Sequence, residues 1–188
     1  MHLFRWLKGR QGNGRDAKLG EWRKRWQAVA GAVAPEAGAV ASLAAELDGL
    51  ALPEEEIEIE REMLDGLVQV AHLHAALTAR GLPLVETGHR VVGAEACHFS
   101  APSSMPDDPA QPSGRLIFTG ARAIFVGGAR AQTLPWHTVA DVVQHERDVI
   151  LVRHDRDTFH RFRCNVFADA LRAGLLARTL SRRTRGGR

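Results

Sequence analysis

Cysteine is nearly absent from this chain of 188 residues: only Cys97 and Cys164 occur, and there is no C-x-x-C pair. Their scarcity excludes a disulfide-stapled scaffold, and the default for two isolated thiols is burial in a reducing compartment. No H-E-x-x-H occurs. His72 and His74 lie two apart, about 200° around a helix, so they cannot converge on a metal as an i, i+4 pair would; Cys97 and His98, adjacent on a strand, point to opposite faces. Long apolar runs are missing too. Ala28 to Ala45 is mostly alanine and glycine, is interrupted by Pro35 and Glu36, and falls short of a membrane span. The opening MHLFRWLKGR meets Arg5 and Lys8 too early for a secretory signal. A cytoplasmic protein is expected. Lysine is scarce, with 3 against 22 arginines, a bias that genomic base composition also produces, so arginine content alone does not argue for phosphate binding.

Catalytic signatures are equally thin. Ser103 and Ser104 lie in the proline-rich stretch Ala101 to Ser113, without the strand, glycine elbow and helix that expose a hydrolase serine. Gly9 to Gly14 lacks the preceding strand and the Lys-Ser/Thr pair of a phosphate loop. The carboxylates of Glu54 to Glu62 form a solvated helix face or a partner for arginines. No enzyme, no cofactor, no metal and no small-molecule substrate are expected.

What is present is segregated charge and clear periodicity. Residues 1–26 carry eight basic and two acidic groups, residues 46–65 nine acidic and one basic, and residues 153–188 ten basic and three acidic. From Leu19 an apolar stripe of Trp22, Trp26, Val29 and Val33 recurs at steps of three and four, and it resumes as Val40, Leu43, Leu47 and Leu50. Pro35 breaks the ladder between them. Pro53 followed by Glu54 to Glu56 starts the next helix, whose stripe is Met63, Leu67, Val70, His74 and Leu77, and Gly81 with Pro83 ends it. These coiled-coil-like seams form a helical hairpin that must pack on itself, on the remainder of the chain or on a second copy.

From Gly114 the pattern changes to short apolar segments: Leu116 to Thr119, Ala123 to Val126, Ala131 to Pro135, Val139 to His145, Val149 to His154 and Thr158 to Cys164. The turns between them are too short for parallel crossovers, so the sheet is an antiparallel meander. His89 to Ser100 supplies a seventh strand. Asn165 is placed to cap a final helix, and Phe167, Ala170, Leu171, Gly174 and Ala177 share the face that covers the sheet.

Seven strands and a terminal helix resemble the pleckstrin-homology (PH) superfold. The residues Gly114, Leu116, Thr119, Arg122, Phe125 and Gly127, with Phe162 later, resemble more narrowly its GRAM and bacterial PH-like branch, over about residues 85–180. The resemblance implies an α+β fold: an N-terminal helical hairpin, then a seven-stranded antiparallel barrel capped by its C-terminal helix. It also implies a non-enzymatic binding scaffold. The loop that grips inositol phosphates in lipid-binding relatives corresponds to Ala101 to Ser113, which holds Asp107 and Asp108 and no basic residue.

The expected organisation is a flexible basic and aromatic N-terminus (1–16), a helical hairpin (17–82), a PH/GRAM-like domain (83–181) and a basic tail (182–188). Candidate contacts with an anionic membrane are Phe4, Arg5, Trp6 and Lys8 at one end and Arg182, Arg183 and Arg185 at the other. Trp22 and Trp26 are assigned to packing. The expected function is an interaction or adaptor protein that docks a protein partner, or itself, through helical seams, with weak contact at the inner face of the membrane. The alternatives are a nucleic-acid-associated protein, for which the basic segments would have to form one surface, and a His/Cys metal-binding protein. No specific nucleic acid is expected.

Overall fold

The computed structural model describes residues 3–32, 35–127, 130–155 and 158–186, with side chains from Gly14 onward apart from that of Arg130. Val33, in the helical stripe, therefore lies outside the described residues. The N-terminal half is α1 (Leu3–Gly31), α2 (Ala37–Gly49), a 3-10 turn (Glu54–Glu56) and α3 (Glu58–Arg80). Helical backbone runs through Gly12 to Gly14, within the N-terminus (1–16) expected to be flexible. The break expected at Pro35 separates α1 from α2, and Gly81, with φ +81°, ends α3.

Both tryptophans of the α1 stripe are fully buried. Their indole N–H groups donate to helix carbonyls, Trp22 to Leu43 O at 2.9 Å and Trp26 to Met63 O at 2.8 Å. A buried indole leaves its donor no other inexpensive outlet, so each bond sets the register of α1 against a neighbour as well as its distance. Around them pack Val40, Leu43 and Leu47 of α2 and Met63, Leu67 and Val70 of α3. The seams thus close on one another within the chain.

The second half is a seven-stranded antiparallel sheet: β1 (Cys97–Ser104), β2 (Ser113–Thr119), β3 (Arg122–Gly127), β4 (Arg130–Pro135), β5 (Val139–His145), β6 (Asp148–Arg153) and β7 (Phe159–Cys164), followed by α4 (Phe167–Gly186). The order is β4-β3-β2-β1-β7-β6-β5, so β4 and β5 are edges and the sheet stays open between them. β1 meets β7 only at Ser103–Cys164 and Ser104–Arg163. Pro102 precedes that junction, where its missing N–H interrupts no ladder on the β7 side. This is the PH-like α+β arrangement.

One strand is displaced from its expected position. His89 to Ser100 is not a continuous strand: Arg90–Val92 form a 3-10 turn, Gly93 has φ +61°, and β1 begins at Cys97 and runs on through the first part of the expected polar loop. Val91 and Val92 look like strand residues because they are apolar; Val92 is instead buried against Cys97, Ile117 and Ile124 on the outside of β2 and β3.

The face of α4 divides in two. Ala170, Ala173, Leu176, Ala177 and Leu180 plug the sheet among Phe118, Trp136 and Phe162, whereas Phe167, Leu171 and Leu175 turn to the helices. The single sheet-covering face expected from sequence is therefore corrected for Phe167 and Leu171. α3 comes close enough at Gly66 that a Cβ there would lie 3.0 Å from Leu171 and 3.1 Å from the backbone of Ala168. Asn165 is not what holds the helix start: the N–H of Phe167 donates to Glu62 Oε1 of α3 at 2.9 Å. Glu62 Oε2 accepts from Arg147 at 2.7 Å, and that guanidinium lies 4.7 Å from the Phe167 ring centroid. One carboxylate thus joins α3, α4 and the β5–β6 turn.

Candidate functional site

The residues of the Gly114–Gly127 pattern are structural in this fold. Gly114 and Gly127 pair across β2 and β3, and a Cβ on Gly114 would stand 2.1 Å from Val126 O, so the crossing admits no side chain. The Thr119 hydroxyl accepts the N–H groups of Ala121 and Arg122 and donates to Glu95, which also pairs with Arg122 at 2.6 Å. Leu116 is fully buried, and Phe125 lies 5.9 Å from Phe162 between ring centroids. Glu95, unremarked in the sequence, ties the segment before β1 to the β2–β3 turn.

In the loop between β1 and β2 the structure shows neutralised charge. Asp107 pairs with Arg161 at 3.4 Å, and Arg161 and Arg163 both bind Asp148. Burial pushes the Asp148 carboxyl up, but hydrogen bonds and charge from Arg163 and Arg161 outweigh it and leave the group below the usual carboxylate range.

The tail arginines have separate roles. Arg185 donates to Ala140 O at 3.1 Å and Arg178 to Val142 O at 3.3 Å, both on edge strand β5. Ala140 is the extra residue of a bulge between Val139 and Asp141. Arg182 lines two small clefts beside Arg178, one of them reaching Gly31 at the end of α1. Arg183 turns the other way, into an open cleft of about 600 Å³ shared with Arg80, Gly81, His98, Gly120 and Thr184. Among the described residues none of Arg80, Arg178, Arg182, Arg183 and Arg185 forms a salt bridge to a carboxylate.

Phe4, Arg5, Trp6 and Lys8 lie in the first turns of α1, and their side chains are outside the described residues. The packing of α1 starts at Leu19, and Gly14 to Lys18 are exposed. Gly31, not the start of the helix, borders Arg182 and Arg185. A helix of 29 residues is about 43 Å long, so the start of α1 stands well away from Arg182 and Arg185, which border its other end. The described residues likewise gather no group of three or more His, Cys, Asp or Glu side chains suited to a metal. Cys97 and Cys164 are free and buried, and Cys164 pairs with Ser103, six positions along β1 from Cys97. That separation is about 20 Å, far beyond disulfide reach. No described helix is long and apolar enough to cross a membrane.

No family model matches the chain, and no curated protein matches it. Among solved structures, the C-terminal domain of an unknown protein from Leishmania infantum is 15% identical, with 48% of this chain and 88% of that chain covered at a TM-score of 0.41. A Vps36 N-terminal PH domain is 17% identical, with 58% of this chain and 91% of that chain covered at a TM-score of 0.43. The strand order and the capping helix, not these likenesses, carry the fold assignment.

Proposed function

We propose that this chain is a non-enzymatic docking protein of the GRAM-like branch, in which a PH-like body carries a helical arm onto an anionic membrane surface. The observation that carries the reading is the continuation of α1 to Leu3, well past the point where its packing begins at Leu19. At 100° per residue, the helical positions of Leu3, Phe4, Trp6 and Leu7 fall within one arc of about 160°, with Arg10 inside it and Arg5 and Lys8 outside it. Apolar, aromatic and basic residues at neighbouring helical positions are the composition of an interfacial helix. The surface in this reading is the inner face of the cell membrane, the leaflet that carries anionic headgroups.

The test is sedimentation with vesicles of phosphatidylcholine and phosphatidylglycerol, comparing the full chain with one lacking residues 1–10. That segment holds three basic residues. At about 1 kcal/mol each near an anionic surface, their loss weakens binding about a hundredfold at low salt, and by less as salt rises. Unchanged binding refutes the arm. If instead the full chain ignores vesicles and dimerises, the docking partner is a protein, a second copy of this chain.

A further inference from the structure

We infer that the cleft between the ends of α3 and α4 is a binding site for a phosphate group bearing a hydroxyl hydrogen, a site distinct from the arm and from the neutralised β1–β2 loop. Two features, and a third that aims the second, converge there. Arg80, the last residue of α3, and Arg183, near the end of α4, line one cleft, and neither has a carboxylate partner among the described residues. Arginines at helix ends offset the negative end of the dipole, but that role requires no shared cavity. His98 is the second feature. It is only 8% exposed, yet it lines the same cleft.

The third feature explains how His98 is aimed. Thr119 pairs with Cys97 and Phe118 with Phe99, so His98 is the unpaired residue of a β-bulge. Bulges re-aim a side chain out of the regular alternation. Its Nδ1 lies 2.7 Å from Pro83 O. A carbonyl only accepts, so Nδ1 carries the proton, and in the uncharged form of the ring Nε2 is then a lone pair. Nε2 has no protein partner among the described residues and faces Gly120, where even an added Cβ would remain 3.7 Å away.

That set of groups selects its ligand. Two guanidinium forks call for an oxyanion, and phosphate is the anion they fit bidentately. A neutral Nε2 calls in addition for a donor, which hydrogen phosphate has and sulfate lacks. The cleft volume, about 600 Å³, exceeds a bare phosphate and leaves room for whatever carries it.

The experiment uses the full chain and inorganic phosphate against sulfate at equal ionic strength and mildly alkaline pH, followed through the backbone amide resonances of Gly81, Gly120 and Thr184. Saturable shifts with phosphate, weaker with sulfate, are expected. Arg183→Ser weakens both anions roughly tenfold or more. His98→Asn keeps a donor for Pro83 O, so the fold is retained, but it removes Nε2 and erases the preference for phosphate. Equal affinity for the two anions, shifts that never saturate, or shifts indifferent to Arg183→Ser overturn the site. Vesicles containing phosphatidic acid then identify the source: shifts that soluble phosphate reverses assign the group to a lipid, and their absence assigns it to a soluble phosphate. Removing residues 1–10 leaves these resonances responsive to phosphate, so failure of the arm and failure of the cleft are distinguishable.

Discussion

Replacing Glu62 tests whether the helical region and the sheet form one cooperative body. Three interactions meet at this side chain. It caps the Phe167 N–H, it pairs with Arg147 at 2.7 Å, and through Arg147 it holds a guanidinium against Phe167, whose ring meets Trp26 edge-on at 5.6 Å. Losing a helix cap costs about 1 kcal/mol. Both partners of the ion pair are about one-third exposed, so it contributes at most about 1 kcal/mol. Glu62→Ala is therefore expected to destabilise by about 2 kcal/mol, or about 4–8 °C in Tm for a chain of this size. Glu62→Gln keeps a carbonyl for the cap and loses only the charge, so it falls about halfway. Urea unfolding followed by tryptophan fluorescence reads both variants through Trp26. The two buried tryptophans of α1 and Trp136 in the sheet should unfold together in every variant. Equal effects of Ala and Gln, or no measurable effect from either, refute the capping role. Two separated transitions in the parent protein refute the single body.

Two further outcomes follow from buried titratable groups. Asp148 is nearly fully buried, and its carboxyl is held below the usual range by Arg163 and Arg161 against the opposing effect of burial. Its contribution to stability is present above the unfolded carboxylate pKa of about 3.9 and is lost as pH falls through the lower folded value. The urea midpoint of the parent should therefore converge on that of Asp148→Asn as pH drops below about 4; parallel curves contradict the assignment. Asp169, lifted by burial despite Arg172 and Arg115, has the opposite sign but is common to both proteins, so it cancels in the comparison. Burial pushes the Cys164 thiol up to about 12, helped by Asp169 and Asp148, and raises Cys97 as well. Both thiols should resist alkylation in the native chain and react once urea unfolds it. Rapid modification of the native protein would show that one of them is open to solvent.

The hairpins of the sheet are legible in the sequence because their determinants are local: short turns at Gly120–Ala121 and Glu146–Arg147, and alternation within each strand. The stripes of α1 to α3 are legible for the same reason. What they pack against is not. Phe167 and Leu171 share a broad apolar arc with Ala170 and Ala177, and only the arrival of α3 at Gly66 divides that arc into two faces. The cap on α4 comes from a residue 105 positions upstream, so the nearby Asn165 is a false cue. The cleft is still less visible. Arg80, His98, Gly120 and Arg183 come from four separate elements or turns, and His98 reaches the cleft through a bulge that no alternation pattern marks.

The β5 edge of the sheet shows how α4 decides which surfaces remain for docking. An edge strand offers unpaired carbonyls and amides to any passing strand, and folds guard against this with charge, bulges or cover. On β5 all three occur together: the Ala140 bulge, the guanidinium of Arg185 on its carbonyl, and that of Arg178 on Val142. Arg178 and Arg185 are seven residues apart, two helical turns, so one face of α4 lies along the edge. Gly174, one turn earlier on this face, would bring a Cβ to 3.0 Å from Gln144, so the close approach needs that glycine. Guarding β5 consumes two of the basic residues that composition alone would assign to a ligand. Arg183, about 100° further round the helix from Arg182, is directed to the cleft. A tail that looks uniform in sequence is thus partitioned by helical geometry into one group that closes an edge and another that opens a site.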